Sequence, residues 1–89
     1  MKELEKTLKA LGNVRRLRML KYLRENHDAS VSELSKNTKC PYKTTSKHLS
    51  ILFHVGLLER EQKKSEMRYS LNAPLDTCAK FVVDSLWNQ

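Results

Sequence analysis

Between Pro41 and Gly56 the chain carries a helix with a narrow apolar stripe and a polar N-terminal end, and the periodicity changes once the glycine is passed. Thr45, Leu49 and Leu52 recur at the i, i+4, i+7 spacing of one helical face, while Lys43, Lys47, Ser50 and His54 fall on the opposite side. Pro41 suits a first turn, where its missing N–H costs nothing, and Gly56 suits the stop. Beyond it, "LLEREQ" and "MRYSL" read as two short strands joined by "KKSE", which predicts a hairpin with a basic tip. A helix that gives way at once to a hairpin leaves few folds open.

The rest of the chain narrows them further. Leu4, Leu8 and Leu11 mark a first helix over about 2–11, closed by Gly12, and Asn13 is placed to cap a second, "VRRLRMLKYLREN", with Leu17, Leu20 and Leu23 buried. "HDAS" breaks that helix. A short third helix is expected from near Ser32 with Leu34 inward, although Ser30 and Glu33 also fit a capping box one register earlier. "TKC" then makes a tight connection to the helix after Pro41. A last helix, about 75–88, carries Leu75, Cys78, Ala79, Val82 and Leu86 in one stripe. The order α-α-α-α-β-β-α, mainly α with a small β-hairpin, predicts a winged helix-turn-helix spanning 1–89 as one domain. In so small a domain the first and last helices have little of their own chain to bury against. Leu4, Leu8, Leu11, Leu75, Cys78, Val82 and Leu86 are therefore expected to form the interface of a homodimer.

Charge points to a partner. The 89 residues carry a net charge of +7, and the stretch from Lys36 to Arg68 holds eight cations against three anions, Glu59, Glu61 and Glu66. No apolar run approaches a membrane span, and "MKELEKTLKALG" is amphipathic and partly acidic, unlike a signal peptide; a cytoplasmic location and no membrane partner are expected. The DNA major groove admits one α-helix, whose leading end must avoid bulk and offer hydroxyls, cations and free N–H groups. Tyr42, Lys43, Thr44, Ser46 and Lys47 supply that chemistry, with Thr45 turned inward. On the helix alone, a plain polar surface explains these residues as well. With Lys63, Lys64 and Arg68 in the adjacent wing, double-stranded DNA becomes the expected partner, the wing adding phosphate contacts without sequence information. His48, on the flank, either reaches a phosphate or packs against the third helix.

These residues carry a resemblance. "LKALGNVRRLRMLKYL", "VSELSKNTKCPYKTTSKHLSILFHVGLLER" and "MRYSL" are similar to the ArsR (arsenic-repressor) family of winged-helix transcriptional regulators over most of the chain. Thr44 to Leu49, followed by Val55-Gly56-Leu57-Leu58, resembles that family's recognition helix and its exit. The resemblance implies a homodimer paired through its first and last helices, binding an inverted-repeat operator as a repressor and released by an inducer of unspecified chemistry. Metal-sensing relatives carry a cysteine pair just before the acidic-Leu step of the third helix; here Ser30 and Ser32 stand in that place, and a hydroxyl is a poor ligand for soft metals. A second family site uses Asp, His and Glu on the last helix, where this chain has Asp76 and Cys78 but no histidine after them. No metal and no cofactor are expected.

Cys40 and Cys78 form no CxxC and are expected to be free thiols. Cys40, just before a helix N-terminus, and Cys78 leave open a metal- or redox-responsive regulator. A protein-interaction module using the basic face is the alternative outside DNA binding. RNA binding fits poorly, since Tyr69 is the only strand aromatic. No catalytic triad spacing, carboxylate pair or phosphate loop is visible, so no enzyme is expected.

Overall fold

The computed structural model describes residues 2–72 and 77–86, the side chains of Thr77 and Cys78 excepted. Helix α1 spans Lys2–Leu11 and α2 Val14–Asn26; strand β1 is Asp28–Ser30; α3 is Val31–Thr38 and α4 Tyr42–His54; β2 (Leu58–Lys63) and β3 (Glu66–Leu71) form a hairpin, and α5 is Thr77–Ser85. This is the winged helix-turn-helix predicted, with one strand more than expected.

That strand lies within the segment "HDAS", predicted only as a break: His27 ends α2 and Asp28–Ser30 form β1. β1 joins the sheet in the antiparallel order β1-β3-β2, with Ala29 opposite Tyr69 and Ser30 opposite Arg68. Ala29 and Tyr69 are both buried, so the pairing is held by the core beneath it. Ser30 then caps α3, its Oγ accepting from the Glu33 N–H at 3.1 Å. The earlier of the two helix starts is the one the chain adopts.

The turn between α3 and α4 is locked from both sides. Lys39 takes the left-handed conformation (φ 53°) that ends α3. The Cys40 carbonyl accepts from the Ser35 hydroxyl of α3 and from the Thr45 hydroxyl of α4, the latter at 3.2 Å. Thr45 is thus inward for a polar reason as well as a steric one. With Leu49 and Leu52 it packs on Leu34, Met19, Leu20 and Leu23, which together centre the core. In α2 the buried stripe is Met19, Leu20 and Leu23; Leu17, predicted inside, is only half-buried. After α4, Gly56 adopts φ 84°, which a side chain would strain, and the chain turns into β2.

Within the protomer the outer helices divide the residues of the expected interface. α1 turns Thr7, Ala10 and Leu11 inward, so Leu11 belongs to the protomer's own core, while Leu4 and Leu8 remain 44% and 50% exposed. In α5 the buried positions are Ala79 and Val83, followed by Leu86 at i+7. Leu86 is therefore core, and Val82 lies half-buried against it. Phe81, which the predicted stripe omitted, is 74% exposed. Leu75, Asp76, Trp87 and the Cys78 side chain lie outside the described residues.

Candidate nucleic-acid interface

α4 begins without a side-chain cap: Pro41 offers none, and no acidic residue occupies the first turn. Its leading N–H groups and the positive end of its dipole are therefore open to an anion. Around that end Tyr42, Lys43 and Lys47 are exposed, and Thr44 and Ser46 are half-exposed. The wing stands beside it. Ser32, Tyr42, Gln62, Ser65, Glu66 and Met67 line one shallow cleft of about 120 Å³, so the first residue of α4 and the wing tip share a wall.

The hairpin turn is shorter than "KKSE" suggested. Lys63 and Glu66 still pair in register, leaving Lys64 and Ser65 as a two-residue loop. Lys64 takes a left-handed φ of 56° where a glycine would be unstrained. It projects from the tip exposed, with no carboxylate in ion-pair range among the described residues. Lys63 Nζ lies 3.9 Å from Asp28 Oδ2, a loose surface pair that a phosphate could displace. On the core side of β2, Arg60 stacks over the Phe53 ring at 3.9 Å and fastens the hairpin to α4.

Two residues of the predicted site are placed differently. Arg68, grouped from sequence with the wing's phosphate-binding cations, donates instead to Asp28 at 2.9 Å, Glu33 at 3.0 Å and Glu66 at 2.7 Å. With every one of these bonds made, its side chain is only 21% exposed. His48 is held by a side chain of α2. Its Nδ1 accepts from Arg16 Nε at 3.1 Å, and Arg16 Nη1 continues to the Lys9 and Ala10 carbonyls at the end of α1. Burial, with Arg16, Arg15 and Lys47 around it, holds the His48 pKa below its ordinary 6.5. It is therefore neutral at pH 7.

Nothing local in the sequence sets Arg16 apart from Arg15 and Arg18. Cys40 is buried, which withdraws the accessible thiol a redox switch at that position needs. Ser30 Oγ is occupied with its cap, and no group of three or more His, Cys, Asp or Glu is arranged to hold a metal among the described residues. No described helix is long and apolar enough to cross a membrane.

The chain and its fold have known counterparts. The sequence model of bacterial regulatory proteins of the arsR family matches residues 13–60, just over half of the chain. No curated protein matches the chain. Among solved structures, HlyU from Vibrio cholerae is 30% identical with a TM-score of 0.81, over 97% of this chain and 86% of that one. The transcriptional repressor BigR from Xylella fastidiosa is 26% identical with a TM-score of 0.78, over 98% and 85%. A homodimeric winged helix-turn-helix DNA-binding domain from Mycobacterium bovis shares the fold at 23% identity and a TM-score of 0.79, over 98% and 74%.

Proposed function

Because the chain belongs to the ArsR family of bacterial regulatory proteins, and so is a DNA-binding transcriptional regulator, we propose that it represses transcription as a homodimer whose two α4 helices enter the major groove of an inverted-repeat operator. One observation carries this reading: the uncapped, acid-free N-terminus of α4, ringed by Tyr42, Lys43, Thr44, Ser46 and Lys47, stands next to the wing. The small hydroxyl side chains let the helix approach base edges, while the lysines and the helix N–H groups take phosphates. Lys64, with Lys63 beside it, reaches the flanking backbone from the wing. Neutral His48 lies on the flank, held by Arg16 rather than spent on a phosphate.

The repressor assignment follows the likeness to BigR. The dimer rests on Leu4, Leu8 and Phe81, apolar groups left in water on α1 and α5, two helices that pack together in the protomer. A two-fold pair of this kind prefers half-sites about one helical turn apart, roughly 10 base pairs centre to centre. Work of this sort takes place in the cytoplasm and involves no chemistry on a substrate. The test is binding of alanine variants to a selected operator and to random duplex: helix variants lose discrimination, and wing variants lose affinity for both.

A further inference from the structure

We propose that Arg68 is a positioning residue, which ties the wing to the start of α3 and so sets where the wing's cations stand relative to the recognition helix, without itself meeting DNA. This rests on the DNA-binding reading above.

Arg68 sits at the middle of β3, opposite Ser30 on β1 and Glu61 on β2. Its guanidinium reaches three separate elements: Nη1 donates to Glu33 of α3 and to Glu66 of its own strand, and Nη2 to Asp28 of β1. A planar fork can satisfy carboxylates in several directions at once, which a lysine ammonium does less well. Glu33 is also the residue whose N–H is capped by Ser30, so the same side chain joins the α3 start to the wing. α3 in turn packs on α4 through the core. One path from recognition helix to wing thus runs α4, α3, Glu33, Arg68, β3, beside the direct contact of α4 with β2 through Phe53 and Arg60. β1 pairs with β3 only from Arg68 to Ser70, so the wing beyond Arg68 is a two-stranded ribbon; such a ribbon is marginal on its own, and a tie at its base helps set where its tip is held.

The charge balance argues against a phosphate contact at Arg68. Asp28, Glu33 and Glu66 outnumber Arg68 and the more distant Lys63. A phosphate would have to displace hydrogen-bonded carboxylates within a patch already net negative. The Asp28 carboxyl is held below the usual carboxylate range, first by its hydrogen bond from Arg68.

The test uses the full chain with Arg68→Gln, Glu33→Gln and, for contrast, Lys64→Gln. Affinity for a selected operator is measured across a salt series, and amide hydrogen exchange at Lys63 and Glu66, the last paired residues of the hairpin, is measured in the free protein. Arg68→Gln should lower affinity about tenfold, leave the salt slope unchanged, and speed exchange at the tip before any DNA is added. Glu33→Gln should do the same more weakly, although losing a negative charge would by itself raise affinity. Lys64→Gln should flatten the slope by about one unit and leave exchange at Lys63 and Glu66 as it was. A slope reduced by about one unit in Arg68→Gln, with exchange unchanged, would make Arg68 a phosphate contact and overturn the proposal. Should Arg68→Gln fail to fold, Glu33→Gln decides alone: unchanged affinity and exchange would refute the tie. A wild-type chain that bound no duplex would end the DNA-binding reading, and tip exchange would still decide the tie separately.

Discussion

Replacing Phe81 by alanine should split the dimer and leave the protomer folded. The ring is 74% exposed in the protomer, so the fold gains little from it, and surface substitutions of this kind usually change stability by less than about 0.5 kcal/mol. Full burial of a phenylalanine side chain contributes about 1.5–3 kcal/mol. Three quarters of that, less the retained Cβ, is about 1–2 kcal/mol for each copy. A two-fold interface loses the ring twice, so the dimer should weaken by about 2–4 kcal/mol, or roughly 30- to 1000-fold in dissociation constant. Sedimentation equilibrium reads this directly, with circular dichroism to confirm the helices. Leu86→Ala is the contrast. Leu86 lies in the protomer's own core, so its loss should cost about 2–5 kcal/mol of folding stability and show first in the urea midpoint. If Phe81→Ala left the dimer constant unchanged, or wild type sedimented as a monomer with both outer helices ordered, the interface reasoning would be wrong.

Two further outcomes follow from the site. His48 has a folded pKa depressed below 6.5, so between that folded value and 6.5 the unfolded chain binds more protons than the native one. Stability should therefore fall as pH drops through this window and stay level above it, and His48→Gln should remove that part of the dependence; parallel urea profiles for the two proteins would contradict it. Zinc should leave operator affinity nearly unchanged, because Ser30 Oγ serves a helix cap and the described residues hold no three-ligand cluster; a tight stoichiometric titration that releases the duplex would refute this.

What could be read from the sequence was local. Asn13 does cap α2, with its Oδ1 accepting from Arg15 and Arg16 N–H groups, and α4 buries Thr45, Leu49 and Leu52 at their helical spacing. β1 was not legible, since three residues with a single buried apolar side chain between two polar ones give no period to detect. Arg68 looked like one more wing cation because its partners Glu33 and Asp28 lie 35 and 40 residues away. Only the sheet brings them within hydrogen-bond range. In the outer helices, which residues the protomer keeps for its own core is hidden for a different reason. Leu11 shares a face with Leu4 and Leu8 by spacing, but it also borders the Thr7–Ala10 face that α1 turns inward. Spacing alone does not say which of two overlapping faces a protomer keeps for itself.

The central claim is that α4 reads bases while the wing holds the backbone, and it is tested most directly by one comparison. Thr44→Ala, Ser46→Ala, Lys63→Ala and Lys64→Ala are each titrated against a selected operator and a random duplex across a salt series. The helix variants should lose about 1–3 kcal/mol of discrimination for each base contact removed, with random binding little changed. The wing variants should weaken both duplexes alike and flatten the salt dependence by about one unit of slope each, Lys63 by less if Asp28 already holds part of its charge. Equal losses on operator and random DNA from all four substitutions would contradict the account and leave α4 a basic surface for some other acidic partner.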